Sequence, residues 1–140
     1  MNKIAVVYWS GTGNTKAMAD AVAEGAKEAG ADVEVFTASG FGKDKLSLFD
    51  SLAFGCPAMG AEVLEEGEFD PMFTDIETGL AGKKVALFGS YGWGDGQWMR
   101  DWEERCSSSG INLAAESVTA NNAPDDEAIN NCKALGAALA

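Results

Sequence analysis

The chain has 140 residues, enough for one domain of ordinary size and too few for two, so we expect a single domain over residues 1–140. Its formal net charge of −12, from 22 acidic and 10 basic residues, argues against nucleic acid and anionic membrane surfaces and favours basic partners. The three cysteines are far apart and there is no histidine, so no metal site is expected. With no apolar run of membrane-spanning length, we expect a cytoplasmic protein with buried free thiols.

The first two elements are the clearest in the chain. Residues 4–9 are apolar and β-branched, which is typical of a parallel strand buried on both faces. Apolar residues then recur at four-residue spacing from Met18 to Ala26, which predicts a helix from Thr15 to about Ala29 that packs on a sheet.

The rest of the chain alternates strands with helices. Gly30 and Gly110 are expected to end helices, and Trp98 and Trp102, four residues apart, are interpreted as core residues. The pattern predicts an open parallel sheet of five strands covered by helices on both faces. The further predicted strands are 32–37, 51–55, 84–89 and 111–118, and 38–50 is a loop with room for a short helix. The predicted helices are one that has Pro71 in its first turn and continues to about Leu80, one over about 97–107 and one over 125–140.

The turn between the first strand and the first helix, residues 10–15, reads SGTGNT and will be called the first loop. Gly11 and Gly13 allow a sharp turn and a close approach of the backbone to a ligand, and the free N–H groups of the helix point to the same place. Because Lys16 is the only cation nearby, a phosphate here would be held mainly by hydrogen bonds. The sequence of the first loop does not match the phosphate-binding motif of a Walker, dinucleotide-binding or phosphatase loop. The alternative interpretation is a capping loop without a ligand.

Two more glycine-bearing loops follow predicted strands, the second loop at residues 56–62 and the third loop at residues 90–96. Ligands of open parallel sheets bind beyond the carboxyl ends of the strands, where the three loops are expected to meet. Met59 and Trp93 would offer flat apolar surfaces that suit an aromatic ring system.

Three stretches of the chain together resemble the flavodoxins, specifically the short-chain type of clostridia and related anaerobic bacteria. They are residues 8–15, 55–60 and 87–96, which read YWSGTGNT, GCPAMG and LFGSYGWGDG. The resemblance implies a flavodoxin-like fold with strand order 2-1-3-4-5 and FMN as cofactor. It also implies low-potential one-electron transfer in place of ferredoxin, without catalytic residues or a substrate of the protein's own.

The same resemblance implies which residues bind the cofactor. Met59 would lie on the inner face of the flavin ring, Trp93 would stack on its outer face, and Asn122 would support the ribityl side. Trp9 is interpreted as packing beneath the first loop and is left out of the site. Proline cannot donate a hydrogen bond where some relatives have serine at position 57, so Ser90 is a candidate replacement donor. The resemblance assigns the phosphate to Ser10, Gly11, Thr12, Gly13, Asn14 and Thr15, and the ring and its surroundings to Pro57, Ala58, Gly60 near flavin N5, Ala61, Glu62 near flavin N3, Ser90, Tyr91, Gly92 and Gly94.

Between Glu62 and Glu77 the chain holds seven acids and neither lysine nor arginine. One interpretation is a solvated helix face. The other is a patch beside the flavin that steers a monomeric carrier to basic docking surfaces, which the resemblance identifies with ferredoxin-dependent oxidoreductases and flavodoxin reductases.

The sequence is also compatible with two other functions. One is an FMN-dependent enzyme, such as a quinone reductase or an activator of another enzyme. The other is a binding module without a redox role, which would be colourless when purified.

Overall fold

The computed structural model describes residues 2–11, 13–59, 63–92 and 94–140. Within these ranges the strands form one parallel sheet in which β1, β3 and β4 are central. The strands are β1 Lys3–Tyr8, β2 Asp32–Thr37, β3 Ser51–Gly55, β4 Lys84–Tyr91, β5 Asn112–Leu113 and β6 Val118–Asn121.

The helices connect these strands. The longest, α1, follows Gly13, which has a left-handed φ of 95°, and α5 is capped by the Asp125 carboxylate, which accepts a hydrogen bond of 2.8 Å from the Ala128 amide. None of the helices described has the length and apolar character that a membrane span requires. The helices are α1 Asn14–Glu28, α2 Lys43–Leu46, α3 Phe69–Ile76, α4 Gln97–Ser108 and α5 Asp126–Leu139, with 3₁₀ turns at Ala38–Gly40 and Glu77–Gly79.

The strand order is β2-β1-β3-β4-β5, and β6 also pairs with β4, so the predicted order is confirmed. The predicted single last strand over 111–118 is wrong. Its two halves pair with the two ends of β4: Leu113 lies opposite Val85, and Val118 lies opposite Phe88. Between these two pairs the last strand has four residues, 114–117, whereas β4 has only two, 86–87. The two extra residues cannot pair with β4, so they bulge out of the sheet and divide the strand into β5 and β6.

The helix predicted to have Pro71 in its first turn and to continue to about Leu80 ends earlier, at Ile76. It begins at Phe69, so that Pro71 is its third residue and still lies in the first turn. A 3₁₀ turn replaces its last turn. Pro71 is tolerated there because the amides of the first turn have no partner within the helix.

Both faces of the central strands are buried. Successive side chains of a strand point to opposite faces, so Ile4 and Val6 of β1 pack against α1 and α5, while Ala5 and Val7 pack on the side of α3 and α4. This explains the unbroken apolar run in β1. The carboxyl ends of β1, β3 and β4 therefore lie together at one edge of the sheet, and each leads into one of the three loops.

Candidate functional site

The three loops line one cleft at this edge of the sheet. Its volume is about 230 Å³, and each loop contributes residues to its wall. The floor is largely apolar because the second loop contributes proline, alanine and methionine. The lining residues are Trp9, Gly11, Asn14, Pro57, Ala58, Met59, Ser90, Tyr91, Gly92 and Asn122.

The first loop is organised by its own hydroxyl groups. The Ser10 hydroxyl accepts hydrogen bonds from the backbone N–H groups of Gly13 at 3.0 Å and Lys16 at 3.3 Å, which closes the turn onto the start of α1. Behind the turn, the Thr15 hydroxyl lies 3.4 Å from the Ser90 hydroxyl of β4. These two side chains are only 1% and 5% exposed, so they join the first and third loops in a place that water scarcely reaches.

Trp9 lines the cleft as well, although the sequence interpretation left it out of the site. A Cβ atom at Gly11 would lie 3.2 Å from its ring, so the loop passes closely over the indole. The Trp9 indole N–H donates to the Glu68 carboxylate at 3.1 Å. The position of Trp9 directly before the first loop was the one sequence signal for a role in the site. A tryptophan at the end of a strand is equally typical of core packing, so this signal did not decide between the two roles. The same ring borders a neighbouring hollow of about 290 Å³, lined also by Tyr8, Ser10, Gly13, Lys16, Thr37, Ala38, Ser39 and Glu68.

The second loop is anchored to the sheet at its start. The Cys56 N–H donates to the Phe88 carbonyl at 3.2 Å, and the Cys56 carbonyl accepts from the buried Trp98 indole at 3.1 Å. At the other end of the loop, Met59 and Val63 exchange backbone hydrogen bonds of 2.8 and 3.2 Å. These two bonds make an antiparallel bridge that ties Met59 to Val63.

Asn122 reaches the cleft through an unusual backbone conformation. It is the only non-glycine residue of the described chain with a positive φ, 59°, a region that asparagine tolerates better than most residues. Its N–H donates to the Tyr91 carbonyl at 2.7 Å. Its side-chain oxygen lies 3.6 Å from where a Cβ of Gly92 would be. The segment after β6 is thus held against the third loop.

The comparisons with known proteins agree with this geometry. The flavodoxin family model matches residues 6–136. The flavodoxin of Clostridium beijerinckii is 50% identical over 96% of this chain and 97% of its own length, and that of Megasphaera elsdenii is 45% identical over 98% of both. The chain belongs to the flavodoxin family. The solution structure of two-electron reduced Megasphaera elsdenii flavodoxin superposes with a TM-score of 0.89 at 45% identity, covering 97% of both chains.

Family membership confirms three of the sequence predictions. The fold is that of a flavodoxin, the cofactor is FMN, and the chain is an FMN-binding electron carrier. Replacement of ferredoxin at low potential is typical of the family, and redox partner proteins follow from the function.

The individual site residues of this flavodoxin are distributed as follows. The cleft brings together the predicted Gly11, Asn14, Pro57, Ala58, Met59, Ser90, Tyr91, Gly92 and Asn122. Ser10 and Gly13 border the neighbouring hollow, and Thr15 lies behind the loop against Ser90. Gly94 is exposed beyond the cleft lining, with a φ of 87°. The predicted Thr12, Gly60, Ala61, Glu62 and Trp93 lie outside the described residues.

The cleft fits both parts of FMN. Beside the first loop are hydroxyl, amide and backbone N–H groups, which are the donors that a phosphate takes at the start of a helix. Gly11 keeps the turn open because Trp9 already fills the space beneath it. On the other side, Met59, Pro57 and Tyr91 offer the apolar surface that an isoalloxazine ring needs.

The cysteines of this flavodoxin are free and buried, as the sequence predicted. Burial raises the pKa of Cys56 to about 12, and it does the same for the pKa of Cys106 and of Cys132. All three thiols are therefore protonated at neutral pH, and none of them is a nucleophile. Cys56, which begins the second loop, serves as a structural residue.

Proposed function

We propose that this flavodoxin carries single electrons at low potential in place of ferredoxin, as a monomeric, single-domain protein of the cytoplasm without a substrate of its own. The observation that carries the proposal is the meeting of the three loops at one cleft, with polar donors at one end and an apolar floor at the other. The chain has no histidine, and its thiols stay protonated at neutral pH, so neither residue type supplies a group for proton transfer. This supports a carrier rather than an enzyme.

At the phosphate end, neutral groups would do most of the binding. Ser10, Thr12, Asn14 and Thr15 would donate from side chains, with backbone N–H groups between them. The Lys16 ammonium lies 3.1 Å from the Asp20 carboxylate, so the charge nearest the loop already has a partner. A phosphate would be held through directed hydrogen bonds and the start of α1.

At the ring end, bound FMN would supply two successive one-electron steps. Met59 and Trp93 would cover the two ring faces, and Gly60 and Glu62 would lie at the ring edge. Of the described residues that line the cleft, none is a cation, and the whole chain carries −12. This surrounding charge disfavours a further negative charge on the ring, which lowers the potential of the second step.

The acidic segment supports docking to basic partners, but its acids are not equivalent. Asp70 and Glu77 share Arg105, with N–O distances of 2.9 Å to each. The Glu65 carboxylate is used by backbone amides. Asp75 is exposed but lies 3.5 Å from the Lys43 ammonium, whereas Glu66 and Glu68 are exposed without a salt bridge among the described residues. Glu66 and Glu68 would steer ferredoxin-dependent oxidoreductases or flavodoxin reductases to the flavin side of the molecule.

The phosphate assignment is tested by removing one hydroxyl group. Thr15→Val keeps the shape of the side chain and should weaken FMN binding about tenfold or more, because hydrogen bonds to charged groups contribute roughly 1.5–3 kcal/mol. Riboflavin, which lacks the phosphate, should bind the variant and the unchanged protein equally. Flavin fluorescence titration of the apoprotein measures both affinities.

Thr37→Val is the matched control, because Thr37 borders the neighbouring hollow and not the cleft. Equal loss of FMN and riboflavin in Thr15→Val would contradict the phosphate assignment. Steady turnover of NAD(P)H with a quinone by the isolated holoprotein would contradict the absence of a substrate.

The docking surface is tested by reversing one exposed charge. Glu66→Lys should slow electron transfer to a basic partner several-fold at low salt, and the difference should shrink as salt rises. Glu28→Lys makes the same change at the carboxyl end of α1, away from the cleft, and should have little effect. Stopped-flow rates at several ionic strengths measure this, and equal slowing by both variants would refute the proposed surface.

A further inference from the structure

The Glu65 carboxylate binds three consecutive backbone amides. One of its oxygens accepts from Gly67 N–H at 2.7 Å, and the other accepts from Glu68 N–H at 2.7 Å and Phe69 N–H at 2.8 Å. The Glu65 carbonyl also accepts from Asp70 N–H at 2.9 Å. One side chain thus orders the start of α3, where amides would otherwise lack partners.

Glu65 also reaches back to the start of the second loop. Its N–H donates to the Cys56 sulfur at 3.3 Å, and that thiol donates in turn to the Pro57 carbonyl at 3.6 Å. Between Cys56 and Glu65, the backbones of Met59 and Val63 form an antiparallel bridge. The side chain of Cys56 is therefore held by Glu65, in addition to the contacts of its backbone with Phe88 and Trp98.

The same residue connects the second loop to the first. Glu68, whose N–H is held by Glu65, accepts the hydrogen bond from Trp9, and Trp9 packs under Gly11 of the first loop. A continuous set of contacts therefore runs from the base of the second loop, through Glu65 and Glu68, to the first loop.

We propose that Glu65 is a positioning residue for the flavin site, which fixes the second loop against α3 and, through Glu68 and Trp9, sets its place relative to the first loop. The inference rests on the proposed role of these loops toward FMN. Partial burial opposes the charged form, but the amide hydrogen bonds outweigh it and hold the pKa of Glu65 below its ordinary value. The carboxylate is thus ionised, with its full accepting capacity, at neutral pH.

Glu65→Gln tests the positioning in the full-length chain, with and without FMN. The amide side chain loses one accepting oxygen and the charge, so Met59 and Val63 amides should exchange with solvent about tenfold faster or more. Amide hydrogen exchange followed by NMR measures this, with Val6 of β1 as the reporter of global unfolding. Glu65→Asp, which keeps the charge on a shorter side chain, should give a smaller increase.

Glu66→Gln is the matched control because it removes the same charge one residue away from an exposed side chain. It should leave the exchange of Met59 and Val63 unchanged. Equal exchange in Glu65→Gln and Glu66→Gln, with the Val6 amide unaffected, would overturn the inference.

The redox readout separates position from charge. With FMN saturating, Glu65→Gln should narrow the separation between the two one-electron potentials relative to Glu66→Gln, because a loose second loop discriminates less between the redox states of the ring. Glu65→Asp should restore part of the separation. Faster exchange without any change in potentials would uphold the positioning of the loop by Glu65 and would instead refute the proposed contact of that loop with the ring.

Discussion

The two faces of the sheet are packed by opposite means. On the face of α3 and α4, large rings interlock: Phe69, Phe73 and Trp102 lie within 6.1 Å of one another, centroid to centroid, mostly edge to face. On the face of α1 and α5, small residues let the helices touch. A Cβ atom at Gly25 would lie 2.0 Å from the Lys133 carbonyl, and one at Gly136 would lie 2.0 Å from the Val22 carbonyl.

The difference matches what each face supports. The first loop runs directly into α1, so the close backbone contact with α5 fixes the helix whose start would receive the phosphate. The second loop rests on the aromatic face, where the Trp98 indole holds the Cys56 carbonyl. A contact between backbones permits little adjustment, whereas side chains can repack around a changed neighbour. We therefore expect substitutions on the two faces to disturb different ends of the cofactor site.

The largest expected effect is the loss of the central ring of the aromatic face. Phe73 packs edge to face on Phe54 and Trp102, stacks on Phe69 and carries the Arg105 guanidinium 5.0 Å from its centroid. Phe73→Ala should lower the free energy of unfolding by about 4 kcal/mol, because the lost ring leaves a cavity too large for the neighbouring side chains to fill by repacking. Urea unfolding of the holoprotein and the apoprotein measures the change.

Phe73→Leu is the control for this prediction because it keeps most of the volume and loses only the ring contacts. It should cost about 1.5 kcal/mol. A loss of stability in Phe73→Ala no larger than that in Phe73→Leu would contradict the prediction, because it would mean that the neighbouring side chains fill even a ring-sized gap.

On the other face, Gly136→Ala adds a single methyl group where the helices touch. The new Cβ would meet backbone atoms of Val22 and Ala26, so α1 and α5 must separate, at a cost of about 3 kcal/mol. FMN binding should weaken more than in Phe73→Leu, because α1 carries the first loop. Gly40→Ala is the control: its nearest neighbour would be the Thr37 hydroxyl at 3.7 Å, and stability should not fall.

Local sequence signals predicted the elements that build the first loop. β2 and β3 have the predicted bounds, and β1 and α1 differ from them by one residue at either end. Continuous apolar runs and four-residue spacing specify these elements without reference to the rest of the chain. The glycine-rich turn between β1 and α1 could also be predicted, because its glycines and hydroxyl groups make contacts with residues only a few positions away in the sequence.

The features that were missed depend on contacts between distant residues. The break between β5 and β6 follows from the length of β4, which no local pattern in 111–118 records. Trp9 lines the cleft because Glu68, far along the chain, accepts its N–H. The sequence pattern of the acidic segment is typical of a solvated face, yet Arg105 of α4 forms salt bridges with two of its acids, Asp70 and Glu77. Charge runs show composition but not which charges a distant helix will neutralise.

Arg105 offers the smallest of the expected effects, and it depends on pH. Its side chain is 28% exposed, and its charge lies between Asp70 and Glu77, whose side chains are 37% and 14% exposed. Arg105→Met keeps the aliphatic stem over Phe73 but leaves both acids without their cation. At pH 7 this should lower the free energy of unfolding by about 2 kcal/mol.

The sign of the pH dependence follows from Glu77. Burial alone would raise its pKa, but the hydrogen bonds from Arg105 and Ser109 outweigh burial and hold the pKa of Glu77 below its ordinary 4.5. The stabilisation is therefore complete above about pH 4.5 and is lost as the pH falls through the lower, folded-state value.

In Arg105→Met, only the hydrogen bond from Ser109 still opposes the effect of burial, so Glu77 takes up a proton more readily and the difference in stability from the unchanged protein should narrow below about pH 4.5. Urea unfolding at pH 7, 5 and 4 tests this. Arg100→Met, which breaks an exposed pair with Asp95, should cost only about 0.5 kcal/mol at each pH. A loss of stability in Arg105→Met that stays constant with pH would show that the guanidinium stabilises the aromatic face by packing on Phe73 rather than by holding Asp70 and Glu77.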